Sequence, residues 1–193
     1  VCGGKIDKEF GLNEIKTDGI DAIIAADSGM DFLYENGVTP DIIVGDFDST
    51  KTNALEYFER KGQTEIRRLN PVKDDTDTEY AIRLAISEGA RSIVVLGATG
   101  SRIDHVLGNI SLLGIGLESG TDISIIDTNN RIRMADKPVT IEKSAQYGRF
   151  VSLIAVTDDN EVSLRGFKYP VTDYSFDRFT SLGISNEIID DHA

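Results

Sequence analysis

The chain has 193 residues, with 20 Lys and Arg against 33 Asp and Glu, for a formal net charge of −13. With 40% hydrophobic residues it is long and apolar enough for one large or two small folded domains, which excludes a disordered segment as the default reading. The acidic balance, with no cluster of Lys and Arg, argues against non-specific nucleic-acid binding, so a small anionic ligand would need metal ions or local donors.

A lone cysteine, Cys2, leaves no intramolecular disulfide and no all-cysteine metal site, which fits a cytoplasmic address. No apolar run reaches the length of a membrane-spanning helix, and the N-terminus lacks the pattern of a signal peptide. Val1-Cys2-Gly3-Gly4 reads as the end of a strand and its turn, and Asp190-Asp191-His192-Ala193 has no terminating pattern, so further residues are expected beyond both ends.

From Ile20 to Ile126, short β-branched runs alternate with amphipathic stretches, the signature of βαβ units around a parallel sheet. Strands are predicted at Ile20–Ala26, Asp41–Val44, Glu65–Leu69, Ser92–Leu96 and Asp122–Asp127. Between them, helices are predicted from Gly29 to Gly37, with Met30, Leu33 and Tyr34 on one face, and from Lys51 to Lys61, with Leu55 and Phe58 inward. Thr76-Asp77-Thr78-Glu79 forms a capping box that starts a third helix, ending at Gly89. The fourth turns Val106, Leu107, Ile110, Leu113 and Leu117 to one side. From Asn129 the helical spacing disappears, and period-two stretches at Val139–Ile141, Phe150–Val156 and Val162–Leu164 alternate with turns. The fold class is therefore α/β: a Rossmann-like parallel-sheet domain over residues 1–128, then a small all-β sandwich over 129–193. The second is undersized for a closed sandwich and is expected to borrow strands from beyond the C-terminus or from a second subunit.

Ligands of open parallel sheets gather beyond the carboxyl ends of the strands, and here those segments are acidic. They are Asp27-Ser28-Gly29, Gly45-Asp46-Phe47-Asp48-Ser49, Lys73-Asp74-Asp75-Thr76-Asp77 and Thr99-Gly100-Ser101-Arg102-Ile103-Asp104-His105. Asp46 and Asp48, two apart in extended or turning backbone, can share a hard divalent cation; a helix cap explains one of these acids but not both. Asp77 alone would only favour the N-terminal end of a helix dipole, but its neighbours Asp74 and Asp75 repel one another unless a cation intervenes. Gly97-Ala98-Thr99-Gly100 lets backbone amides approach a phosphate at a helix start, with Arg102 as bidentate partner. His105 serves equally as a ligand-binding group or as a cap. Thr180–Glu187 reads on its own as a strand and its turn, and most of the aromatics crowding this half should be core.

In order along the chain, AADSG (25–29), GDFDST (45–50), KDDTDTEYA (73–81), GATGSRIDHVLGN (97–109), RGFKYP (165–170) and TSLGISNE (180–187) resemble the bacterial thiamine pyrophosphokinases. The resemblance implies transfer of a pyrophosphoryl group from ATP to thiamine, giving thiamine diphosphate and AMP, with Mg²⁺ required. It implies Asp46, Asp48 and Asp77 as metal ligands, joined in catalysis by Arg102 and Asp104. Nucleotide contacts are expected at Asp27, Lys73, Asp74, Thr76, Gly97, Thr99, Gly100, Arg102 and His105, and thiamine contacts at Asp104, Ser181, Ser185 and Asn186. It also implies a homodimer with shared active sites. A rival enzyme class is a haloacid-dehalogenase-type phosphatase, whose DxDxT loop Asp46–Thr50 also fits, with Asp46 as nucleophile; that motif normally follows the first strand, which argues against it. A non-catalytic nucleotide- or vitamin-binding module is the other, although four acid-bearing loops exceed what binding needs.

Overall fold

The computed structural model describes residues 1–48, 52–70, 75–100, 102–158 and 160–193, and divides into two compact units, Val1–Asp136 and Lys137–Ala193. The first opens with α1 (Lys8–Ile15), β1 (Ile24–Ala26), α2 (Gly29–Glu35), β2 (Ile42–Gly45), α3 (Ala54–Lys61) and β3 (Glu65–Arg68). It continues with α4 (Asp77–Ser87), β4 (Ser92–Val95), α5 (Ile103–Ser119), β5 (Asp122–Ile126) and β6 (Arg131–Arg133). Strands β1, β2 and β3 pair in parallel, and β4 pairs with β5 in parallel.

Val1–Gly4 joins these two sets of strands. The Val1 amino group donates to Ile24 O at 2.7 Å and Ala26 N donates to Val1 O at 2.8 Å, the parallel pattern, in which one residue bonds to either side of its partner. On its other side Cys2 N donates to Leu96 O at 2.8 Å and Gly4 N to Gly97 O at 2.9 Å. The lateral order is β3, β2, β1, Val1–Gly4, β4, β5, β6, so the sheet grows in opposite directions from its N-terminal segment. That is the topological switch point at which α/β sheets bind ligands.

Strand alternation explains why both faces are covered. Ala25 and Ile43 point to one side, where Met30 and Leu33 of α2 and Ala54 and Phe58 of α3 are fully buried against them. Ala26 and Val44 point to the other, where Ile82 and Leu84 of α4 and Leu113 of α5 pack with Val95, Ile123 and Ile125. Each of the larger apolar side chains among these contributes about 1.5–3 kcal/mol of burial, which holds the strand ends to a fixed edge.

Three local departures from expectation have physical causes. α1 has no apolar stripe and buries only Gly11, so periodicity did not predict it; Asp7 caps it by accepting from Phe10 N at 3.0 Å. The capping box of α4 is half made: Thr76 Oγ1 accepts from Glu79 N at 3.2 Å, while the Glu79 carboxylate pairs with Arg83 one turn on at 2.7 Å. On α5, Leu107 is 60% exposed rather than inward.

The expected division after residue 128 falls instead between Asp136 and Lys137, because β6 pairs antiparallel with β5, Ile132 opposite Ile125. In the second unit the described residues form a 3₁₀ turn (Lys143–Ala145), then β7 (Asn160–Leu164) and β8 (Val171–Phe176), paired antiparallel. Isolated bridges join Glu142 to His192, Val151 to Asn186 and Phe167 to Ile188. Leu164, Phe167 and Ile188 form its small core.

Candidate functional site

At the carboxyl ends of the parallel strands the exit segments form a continuous line. Asp46 and Asp48 follow β2 and Asp27 follows β1, and the carboxylate oxygens of these three residues lie within 4.8 Å of one another. Next in line is Ser28, so close to Gly3 that a Cβ there would stand 2.0 Å from the Ser28 hydroxyl. Gly4 touches the β4 exit: a Cβ on Gly4 would stand 2.3 Å from Gly97 O and 2.5 Å from Thr99 O. Thr99 Oγ1 then donates to Asp127 Oδ2, beyond β5, at 2.7 Å.

The acid group depends on two unusual backbone positions. Asp27 has φ +48° and Phe47, between the other two acids, has φ +66°. The left-handed region costs a non-glycine residue about 1–2 kcal/mol, so the packing around these loops must enforce it. Phe47 is held by its ring, which packs in the α2–α3 core and lies 5.4 Å beneath the Arg68 guanidinium. The Asp48 amide donates to Asp46 Oδ1 at 3.2 Å, closing the turn that keeps both carboxylates together.

Three carboxylates in this space suit a hard divalent cation. Oxygen ligands bound at about 2.0–2.6 Å on opposite sides of one ion stand roughly 4–5 Å apart, and the three carboxylates here fit within that limit. Asp27, expected as a nucleotide contact, joins Asp46 and Asp48, whereas Asp77 stands outside this group. Asp77 opens α4; its neighbour Thr78 donates to the Cys2 sulfur at 3.4 Å, which keeps that helix start beside the N-terminal segment.

The β4 exit loop, Gly97 to Gly100, carries positive φ at both glycines, +71° and +75°. Asn109 Nδ2 donates to Ala98 O at 2.9 Å, tying the loop to α5. Arg102 forms a fork on Asp104, with Nη2 donating to Oδ2 at 2.5 Å and Nε to Oδ1 at 3.1 Å, and both side chains are exposed. That fork raises the Arg102 pKa further above its ordinary value and lowers that of Asp104. His105 is exposed and its amide donates to Asp104 Oδ1 at 2.9 Å. Lys73 and Asp74 lie outside the described residues.

In the second unit Ser181 and Ser185 are exposed, and Ser185 has φ +62°. Asn186 is 6% exposed and its amide is largely taken up: Oδ1 accepts from Tyr169 N at 3.1 Å and Glu187 N at 3.0 Å, and Nδ2 donates to Tyr169 O at 2.9 Å. Its side chain pegs two segments together.

Sequence reasoning placed Gly3 and Gly4 in a turn but not in the site. Paired glycines closing the first βα turn were the available signal, since backbone must approach closely there. It also passed over Lys5, an exposed cation whose Cβ would lie 3.3 Å from one built on Gly100.

A sequence model described as "Thiamin pyrophosphokinase, catalytic domain" matches residues 16–125, and a second, "Thiamin pyrophosphokinase, vitamin B1 binding domain", matches 138–193. The thiamine pyrophosphokinase of Bacillus subtilis (strain 168) is 35% identical over 168 residues, covering 86% of this chain and 78% of the relative. The crystal structure of the Bacillus subtilis enzyme superposes with a TM-score of 0.84 at 32% identity, over 99% of this chain and 89% of that one. That of the Geobacillus thermodenitrificans enzyme gives 0.79 at 31% identity, over 99% and 87%. The Candida albicans enzyme, at 22% identity and a TM-score of 0.79 over 100% of this chain and 82% of that one, shares the fold. With matches that run through both units and a relative that spans most of its length, the chain belongs to the thiamine pyrophosphokinase family of kinase-type transferases.

Proposed function

We propose that this chain transfers the terminal pyrophosphoryl group of ATP to the hydroxyethyl oxygen of thiamine, releasing AMP and thiamine diphosphate, with Mg²⁺ as its cation. The observation that carries the reading is the single edge on which Asp27, Asp46 and Asp48 stand beside the glycine-bounded loop Gly97–Gly100. Thiamine pyrophosphokinases are metal-dependent as a family, and the three carboxylates supply the hard oxygen ligands that Mg²⁺ prefers. When bound, the cation offsets charge on the phosphate oxygens.

In this reading the thiamine oxygen attacks the β-phosphorus and its bond to phosphorus forms as its hydroxyl proton passes to solvent, while the bond from the β-phosphorus to the α–β bridging oxygen of ATP breaks and that oxygen leaves with AMP. Little covalent work falls to the protein, so positioning dominates. The Gly97–Gly100 amides hold polyphosphate, helped by the dipole of α5, whose first turn follows the loop. Arg102 exchanges its exposed contact with Asp104 for a phosphate, a swap that costs little because surface ion pairs are weak. Asp77 and Thr76, at the start of α4, and Lys73, Asp74, Asp104 and His105 keep the roles that the resemblance implies. For thiamine we assign the exposed hydroxyls of Ser181 and Ser185, with Asn186 as the peg that holds their segment.

We further propose a cytoplasmic homodimer with shared active sites. The second unit leaves Phe179 89% exposed, Ile154 73% and Phe150 52%, the kind of apolar surface that association would cover. No helix among the described residues is long and apolar enough to cross a membrane.

Incubating the protein with ATP, Mg²⁺ and thiamine, then separating nucleotides and thiamine species, tests the reading. Thiamine-dependent AMP in equal amount with thiamine diphosphate is expected. Inorganic phosphate without AMP would instead support a phosphatase.

A further inference from the structure

The β4 exit loop is fastened from three sides. Gly97 O accepts from Gly4 N and Ala98 O from Asn109, both at 2.9 Å. The third fastening is of a different kind: Thr99 Oγ1 donates to a carboxylate, Asp127 Oδ2, which reaches over from the end of the neighbouring strand.

Asp127 is itself oriented before it meets Thr99. Its Oδ1 accepts from the amides of Asn129 and Asn130 at 2.8 Å each and from Asn130 Nδ2 at 3.0 Å, while its own amide donates to Asn130 O at 2.9 Å. The turn between β5 and β6 therefore aims the second oxygen at the loop. A hydroxyl has one proton, and that of Thr99 is committed to Asp127, so the Thr99 side chain has no hydrogen left to donate to a phosphate. What Thr99 presents to a ligand is backbone. That backbone lies between Gly97 and Gly100, both at positive φ, and such residues impose little conformational preference of their own. A loop bounded in this way needs an external tether to keep its amides converging.

We propose that Asp127 is a positioning residue for the nucleotide: by holding the Thr99 hydroxyl it fixes the Ala98–Gly100 backbone in the orientation that receives polyphosphate. This deepens the function proposed above and rests on its reading of the β4 exit loop as the nucleotide cradle. Asp127 acts through Thr99 and touches no reacting atom.

The test separates the tether from the turn. Thr99→Val removes the hydroxyl at nearly constant shape and leaves the β5–β6 turn alone; Thr99→Ser keeps the hydroxyl; Asp127→Ala removes tether and turn together. The readouts are equilibrium binding of ATP by titration calorimetry in the absence of thiamine, steady-state KM for ATP and for thiamine, and melting temperature. Loss of a hydrogen bond to a charged group is expected to weaken ATP binding about tenfold in Thr99→Val, raising KM for ATP but not for thiamine. Thr99→Ser should restore wild-type binding. In a double-mutant cycle the Thr99→Val/Asp127→Ala protein should bind ATP no more weakly than Asp127→Ala alone, because both changes cut one link. Wild-type ATP binding in Thr99→Val, or losses that multiply in the double variant, would overturn the inference while leaving the proposed function standing. A wild-type protein that neither binds ATP nor forms AMP would overturn both.

Discussion

Replacing Gly4 by alanine tests whether the switch point depends on two backbones meeting without a side chain between them. The added Cβ would stand 2.3 Å from Gly97 O and 2.5 Å from Thr99 O, roughly 1 Å inside normal contact. Both oxygens are backbone atoms, so no rotamer change relieves the clash; either Val1–Gly4 or the β4 exit loop must move. Overpacking of this kind costs about 1–3 kcal/mol. At this chain length each kcal/mol lowers the melting temperature by about 2–4 °C. A displacement near 1 Å at a loop that positions a reactant is worth on the order of 10²-fold in rate. Gly37→Ala is the control: Gly37 has φ +68° and no atom beyond its chain neighbours within 4 Å of the added Cβ, so it loses only the left-handed allowance, about 1–2 kcal/mol, and retains wild-type kinetics. The assay is thermal melting together with KM and kcat for ATP in the thiamine-dependent formation of AMP. If Gly4→Ala matches wild type in melting temperature and in KM for ATP, the close approach of the two segments is not what shapes the site.

Asp46→Asn should raise the melting temperature without divalent cations, because it relieves repulsion among three carboxylates within 4.8 Å, and should weaken Mg²⁺ binding about tenfold or more by calorimetry. Unchanged Mg²⁺ affinity would remove Asp46 from the metal site. Gly108→Ala, inside α5 with no atom beyond the helix's own backbone and its chain neighbours within 4 Å of the new Cβ, should add about 0.5–1 kcal/mol of stability by urea titration; a loss would show a contact there. Burial raises the pKa of Asp127, but the hydrogen bonds from Thr99, Asn129 and Asn130 outweigh it and hold the carboxyl below its ordinary value. A depressed folded pKa adds stability that is fully present above the unfolded value of about 3.9 and is lost as pH falls through the folded one. The stability advantage of wild type over Asp127→Asn should therefore be constant near neutrality and fade only below about pH 4; an advantage that grows with acidification would contradict the assignment.

What the sequence disclosed, and what it withheld, divides by the range of the interaction. The parallel α/β core was legible because each element carries its own pattern: Met30 and Leu33 are spaced for one helical face, and Ile43-Val44 reads as buried strand. The acid-bearing exits of β1 and β2 followed from the same pattern. That Asp27 stands within 4.8 Å of Asp46 and Asp48 was not legible, because it turns on left-handed backbone at Asp27 and Phe47 that packing enforces. Arg131–Arg133 alternates like the β-rich residues after it, and only pairing with β5 assigns it to the first unit. Asn186 looks like a ligand contact in its polar motif, yet its amide is held by Tyr169 and Glu187.

The order of the strands also sorts the site by chemistry. On one side of Val1–Gly4, the exits of β1 and β2 carry carboxylates. On the other, the exit of β4 offers backbone between two glycines, with Asp127 Oδ2 bonded to Thr99. Under the proposed function, the cation-binding and anion-binding halves are thus separated by the width of a single strand, whose own end, Gly3-Gly4, has no side chain to fill the gap. Without that separation, the three carboxylates of Asp27, Asp46 and Asp48 would stand against the loop and repel the polyphosphate proposed to bind there, and a chain of net charge −13 has no surplus of positive charge to offset them. A ligand that brings phosphate together with a divalent cation meets both halves at once, whereas bare phosphate meets the repulsion of the acid half. On this argument ATP affinity should rise steeply with Mg²⁺ in the wild-type protein and only weakly in Asp46→Asn.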